Sequence, residues 1–158
     1  MNEKVTARLK ERFPELTTSE YRGELTVIVP KRDIVEVCRF LHDDEALRFD
    51  SIRDICGADY ARAEERFEVV YNLYSVAHRT RVRLKVRLEE SEMRLATVTG
   101  IWAGASWMER ETYDMYGIVF EGHPDLRRIY LPEEFEYHPL RKDFPLMGIP
   151  GSLPLPRK

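Results

Sequence analysis

Three carboxylates crowd the stretch WMERETYDMYG, residues 107–117: Glu109, Glu111 and Asp114. Paired carboxylates can act as general acid and general base when their surroundings differ. On a helix, Trp107, Glu111 and Asp114 fall on one face at i, i+4 and i+7, and Arg110 can reach Asp114 at i+4. No nucleophile, histidine partner or metal motif accompanies them. Such a helix suits acid–base chemistry, docking to another protein, or plain surface charge, and the residues alone leave all three open. Two further groups could bind rather than react. Arg81, Arg83, Lys85 and Arg87 alternate with Val82, Leu84, Val86 and Leu88, so a strand would carry them as one basic row, a candidate phosphate-binding face. The acidic neighbours Glu64, Glu65, Glu68, Glu89 and Glu90 nearly cancel that charge, which favours a salt-bridged outer face over nucleic acid. Arg127 and Arg128, then Arg141, Lys142 and Asp143, sit among prolines and large apolar residues.

Missing motifs narrow the chemistry. There is no G-x-G-x-x-G after a strand and no G-x-x-x-x-G-K-[ST], so dinucleotide and P-loop sites are unsupported. His42, His78, His123 and His138 lack metal-ligand spacing and read as surface or capping residues. Cys38 and Cys56 are too few for an iron–sulfur cluster, which takes about four ligands, and both read as small buried hydrophobes. The net charge of −3 does not point to a polyanionic partner. The first residues, MNEKVTARLKERF, carry no apolar signal core, and no run approaches the ~18 apolar residues of a membrane span. The expectation is a chain kept in the cytoplasm that meets a membrane only through a partner.

The elements that would position these groups follow from periodicity. Val5, Leu9 and Phe13 predict a helix over 3–13, stopped by Pro14. ELTVIV, 24–29, predicts a strand, and Pro30 opens a helix with Ile34, Val37, Cys38 and Leu41 on its apolar face. A weaker strand over 49–56 ends at Gly57. Strands over 66–74 and 81–88 can form a hairpin, which would set Leu73 facing Val82, Phe67 facing Leu88 and Glu68 opposite Arg87; a register two residues away would keep the same faces. A last strand over 92–99 and a helix over 103–116, closed by Gly117, complete the set. The order α-β-α-β-β-β predicts an α+β fold: a single mixed β-sheet with helices on one face. We divide the chain into an α+β domain, 1–120, and an extended proline-rich C-terminal docking arm, 121–158.

The arm poses its own problem. Seven of the nine prolines lie at 124 or later, yet 13 of the 35 residues from 124 on are Leu, Ile, Met, Phe or Tyr. Ordering each residue costs about 1–2 kcal/mol, and a segment without a hydrogen-bond ladder needs a surface to recover that. Another chain, or the arm's own domain, could supply it.

The motifs WMERETYDMYGIVFEGHPDLRRIYLP and HPLRKDFPL resemble those of the thirty-kilodalton subunit family of NADH:quinone oxidoreductase, respiratory complex I. The signature residues are Glu109, Arg110, Glu111, Asp114, Met115, Tyr116, His123, Arg127, Ile129 and Tyr130; Arg128 and the run His138, Pro139, Leu140, Arg141, Lys142, Asp143, Phe144, Pro145 extend it. Two departures stand out: Tyr137 where the family usually has Gly, and Ala96-Thr97 where it often has Pro-Ser. The resemblance implies a subunit of the hydrophilic arm with no catalytic, cofactor-binding or metal-binding residues of its own. FMN, iron–sulfur clusters and quinone would belong to partner subunits. The signature residues would be interface residues, and the arm, anchored by Leu140, Phe144 and Leu146, would wrap the large subunit that holds the quinone site. The place implied is peripheral, on the cytoplasmic side of the inner membrane. Related subunits serve membrane-bound hydrogenases and dehydrogenases with other electron donors, so the donor stays open.

Overall fold

The computed structural model describes residues 1–61, 63–145 and 148. Helix α1, Asn2–Arg12, buries Val5 and Leu9 and ends before Pro14. Strands β1, Thr17–Tyr21, and β2, Glu24–Ile28, form an antiparallel hairpin. Its two turn residues, Arg22 and Gly23, both have positive φ, 52° and 79°, the turn whose twist suits two-residue hairpins. Strand β1 is absent from the elements that periodicity predicts, because TTSEY is polar and stays almost wholly exposed as an edge strand. After a short 3-10 turn, α2, Ile34–Asp43, buries Ile34, Val37, Cys38 and Leu41, the face its spacing predicts.

Strands β3, Ser51–Asp59, β4, Phe67–Ser75, and β5, Thr80–Leu88, complete a five-stranded sheet in the order β1-β2-β5-β4-β3. It is mixed: β2 runs parallel to β5 and the other pairs are antiparallel. The β4–β5 register is the expected one, Phe67 on Leu88, Leu73 on Val82 and Glu68 on Arg87. The inward row Phe67, Val69, Tyr71, Leu73, Val82, Leu84 and Val86 joins the buried residues of all three helices in one core. Strand β3 does not stop at Gly57 but runs through it. A Cβ there would lie 2.5 Å from the Tyr116 ring, so the glycine marks a close approach of helix to strand. Cys56, expected to be buried, is exposed on that edge strand.

The fold is α+β, with one correction to the single-sheet expectation. Strand β6, Arg94–Ala96, does not join the large sheet. It pairs in parallel with β7, Val119–Glu121, around the last helix α3, Ala105–Tyr116. Parallel pairing needs a crossover, and α3 is that crossover. Gly117 closes α3 with φ 77°, as expected.

Candidate docking site

The last helix does not use its carboxylates as one row. Its buried acids are Glu109 and Asp114, whereas Glu111 is exposed and Trp107 is 65% exposed. Trp107 and Asp114 share a side of the helix but not an environment, because residues 128–131 cover Asp114 and leave Trp107 open. Glu109 reaches back to the loop after β6: Oε1 accepts the Val98 N–H at 2.8 Å and Oε2 the Thr97 hydroxyl at 2.5 Å. Burial pushes its carboxyl up to about 7, against those two hydrogen bonds.

Asp114 faces the opening of the arm. Its Oδ2 accepts three successive backbone N–H groups, Ile129 at 3.0 Å, Tyr130 at 2.7 Å and Leu131 at 3.2 Å. Its Oδ1 accepts Arg128 at 2.7 Å. Burial alone would raise this carboxyl; the backbone donors and Arg128 outweigh it and hold the group below its ordinary value. Arg110, expected to pair with Asp114, donates instead to the Arg127 and Arg128 carbonyls at 3.0 and 3.1 Å and lies 5.0 Å from the Trp107 ring. Arg128 takes its place at Asp114 because it arrives on the same segment as the three N–H donors.

His123 ties the loop after β7 to the start of α3. Its Nδ1 accepts the Asp125 N–H at 3.0 Å, so Nε2 carries the proton and faces Ser106, 3.1 Å from Oγ and 3.2 Å from the carbonyl oxygen. Arg127 grips Asp125 with two bonds of 2.7 and 2.8 Å at the surface.

The HPLRKD run then completes the helix end. The last carbonyls of a helix have no partner within it. Here His138 Nδ1 donates to the Asp114 carbonyl at 3.0 Å, the Leu140 N–H to Met115 at 3.2 Å, and Arg141 Nε to Tyr116 at 2.7 Å. A guanidinium at this pole also meets the negative end of the helix dipole. Burial, with Arg141 and Arg128 nearby, holds His138 below the ordinary imidazole value despite the carbonyl. Gly117 makes the passage possible: a Cβ there would lie 2.6 Å from His138 Nε2 and 2.7 Å from Arg141.

Two residues that the sequence reading missed finish the anchorage. Asp59, at the end of β3, accepts the Lys142 N–H at 2.7 Å and two bonds from Arg66, at 2.9 and 2.8 Å. Arg66 also meets Asp143 at 3.1 Å and Glu90 at 2.9 Å. The Arg66 hydrogen bonds, opposed by burial and aided by the Lys142 and Ala61 N–H groups, hold Asp59 well below the usual carboxylate range. A polar residue closing an otherwise inward-facing row, with Arg seven positions on, was the available signal. Tyr137 packs edge to face on Phe135 and Phe144, 5.7 and 6.3 Å between centroids, and its carbonyl accepts Arg128.

Up to Pro145, then, the arm finds its polar partners in its own domain. Pro139 and Phe144 are half-buried and Pro145 is exposed; Leu146 lies outside the described residues. What the arm leaves outward is aromatic and aliphatic: Tyr130 at 65%, Tyr137 at 45% and Leu140 at 50% exposure. Beside Leu140 is a notch of about 150 Å³ lined by Cys56, Glu111, Met115 and Tyr116. The basic row of β5 is largely neutralised: Arg83 pairs with Glu24 and Lys85 with Glu68, both at 2.8 Å, and Arg87 lies 3.7 Å from Glu65 and Glu68. Among the described residues no helix is long and apolar enough to cross a membrane.

The family model "Respiratory-chain NADH dehydrogenase, 30 Kd subunit" matches residues 27–150. A relative from Roseiflexus sp. (strain RS-1), named as a subunit of NADH-quinone oxidoreductase, is 50% identical over 147 residues, 92% of this chain and 84% of that one. Its namesake from Geotalea uraniireducens (strain Rf4) is 46% identical over 149 residues, 93% and 90% of the two chains. Among solved structures, "Nqo5 of the trypsin-resistant fragment (1-134) in P63 form" aligns over 80% of this chain and all of that one, with TM-score 0.68 and 34% identity. A chain of an archaeal membrane-bound sulfane sulfur reductase aligns over 92% of this chain and 86% of its own, with TM-score 0.78 and 25% identity. With these relatives, the signature around α3 and the fold that carries it, the chain belongs to the thirty-kilodalton subunit family of NADH:quinone oxidoreductase, respiratory complex I.

Proposed function

We propose that this chain is a hydrophilic-arm subunit of a proton-translocating NADH:quinone oxidoreductase that carries no redox centre and docks on the large subunit holding the quinone site. The observation that carries this reading is the set of large exposed side chains on α3 and the arm, Trp107, Tyr130, Tyr137 and Leu140, with the arm held from behind by Asp114 and the capped end of α3. Rigid aromatic anchors beside a notch are the usual centres of binding energy at interfaces. The signature residues then divide. Glu109, Arg110, Asp114, Arg128, His138 and Arg141 shape the face from behind, while Leu140 and its neighbours meet the partner. Electrons pass from NADH through FMN and iron–sulfur clusters to quinone in the partner subunits, and this chain reaches the cytoplasmic side of the inner membrane through them.

A second reading rests on the likeness to the sulfane sulfur reductase chain: the same role in a membrane-bound hydrogenase or another donor:quinone dehydrogenase. Mild detergent extraction, followed by identification of the proteins that co-purify, separates the two. The first reading expects a large assembly with the quinone-site subunit and the NADH-oxidising subunits; hydrogenase or other donor subunits in their place would establish the second. Recovery as an isolated monomer would overturn both. Leu140→Asp with Tyr137→Ser should leave the chain folded and reduce its incorporation at least tenfold.

A further inference from the structure

At the far end of the sheet from the arm's anchorage, on the solvent face, lies a cleft of about 550 Å³, and none of its lining residues belongs to α3 or the arm. Three arginines line it: Arg53, Arg81 and Arg83. Arg83 is committed, to Glu24 at 2.8 Å and to Asn72 at 3.4 Å. Arg53 and Arg81 have no acidic partner among the described residues, unlike the rest of the β5 row at Arg83, Lys85 and Arg87. Their placement is built. In the β3–β4 register Ile52 faces Leu73 and Asp54 faces Asn72, so Arg53 is the extra residue of a bulge. Bulges re-aim a side chain, and this one sets the Arg53 guanidinium 4.7 Å from the Tyr74 ring. Arg81 faces the same Tyr74 across β4–β5. One guanidinium is thus held on the Tyr74 ring by stacking before any ligand arrives, and Arg81 lines the same cleft from the position opposite Tyr74.

The rest of the lining says what anion fits. Glu24 and Asp54 are carboxylates and Asn72 offers an amide. A phosphate or a nucleic acid backbone meets repulsion from those acids. A peptide carboxylate meets the same acids, but the peptide also brings backbone N–H groups that those acids and Asn72 can accept. The volume is that of a site for a few residues rather than for a duplex.

We propose that this cleft binds an acidic peptide segment of a neighbouring subunit, with an Asp or Glu side chain held by Arg53 and Arg81 beside Tyr74. It is a second contact surface, on the opposite side of the sheet from the core. The proposal rests on the chain's place in a multisubunit assembly. The test uses the isotope-labelled full chain titrated with the capped peptide Ac-Gly-Glu-Ala-Glu-Gly-NH2, with its Gln counterpart, and with inorganic phosphate. The acidic peptide should move the amide signals of Arg53, Tyr74 and Arg81, and Arg53→Gln or Arg81→Gln, native by their spectra, should weaken it at least tenfold. Signals that stay still or move elsewhere, unchanged binding by both variants, or an equal response to the Gln peptide or phosphate would overturn it. In the purified complex, a photoreactive phenylalanine at position 74 should label a peptide of a neighbouring protein that contains Asp or Glu; a lipid adduct or none would also overturn it. Failure of the docking reading above shows as no assembly, whereas failure here leaves an assembled complex without that adduct.

Discussion

Glu109 and Asp114 sit on one helix, neither with any exposed surface, and their carboxyls move in opposite directions. Glu109 lies deeper in the protein, and Asp114 has more donors. Asp114 receives three backbone N–H groups and a guanidinium; Glu109 receives one N–H and one hydroxyl. The consequences have opposite signs. Glu109 rises from 4.5 to about 7 on folding, so the folded state holds its proton where the unfolded chain has lost it. Its contribution is full below the ordinary value and is lost as pH climbs through about 7, a change of roughly 3 kcal/mol. Glu109→Gln should therefore flatten the fall in stability between about pH 5 and 8, read by urea denaturation at each pH. Asp114 behaves the other way, being stabilising above the ordinary carboxylate range and losing that contribution as pH falls below it. Asp114→Ala leaves the 129–131 N–H groups without their acceptor and the half-buried Arg128 without its charge partner, and should cost about 3–5 kcal/mol at neutral pH, measured the same way. The sequence identifies these acids as special but not their separate jobs. Helical spacing places Asp114 with Glu111 and Arg110, and the partners that decide otherwise lie 14 or more residues downstream.

At the scale of elements, strict alternation of apolar and charged side chains set the facing of the β4–β5 hairpin, and the short connection between its strands picked the register from those two residues apart that share that facing. Strand β1 was not, since an exposed polar edge strand has no apolar row to read. Gly57 and Gly117 both look like punctuation. Gly117 is that, and also a gap through which the arm passes; Gly57 is a flat spot for Tyr116. Gly117→Ala is strained by its positive φ, at about 1–2 kcal/mol, and pushes on His138 and Arg141. It should raise the rate of limited proteolysis within 122–145 several-fold while the circular dichroism of the sheet is kept. The 1–120 boundary is a matter of composition, and the hydrogen bonds cross it. Ending the chain at 132 removes the donors to the Asp114, Met115 and Tyr116 carbonyls. Such a truncation should lower the midpoint of thermal unfolding, and fragment 1–132 matching the full chain in that midpoint would refute the capping role.

The whole molecule joins two surfaces through one core: the aromatic face over α3 on one side, and the sheet's solvent face with its bulge-built cleft on the other. Family and fold class were readable because the signature is long and the strands alternate. The arm's course was not, because nothing local to HPLRKD says which carbonyls it will find. Those carbonyls lie 24 or 25 residues upstream, and the Asp59 carboxylate 83. That separation has a consequence in time. During synthesis the last turn of α3 is made well before the residues that finish it have left the ribosome, and Tyr137 and Leu140 have no scaffold until then. A chain stalled or cleaved short of the HPLRKD run keeps Trp107 and Tyr130 but lacks Leu140 and the cap that holds it. Assembly would in this way favour chains made through the HPLRKD run.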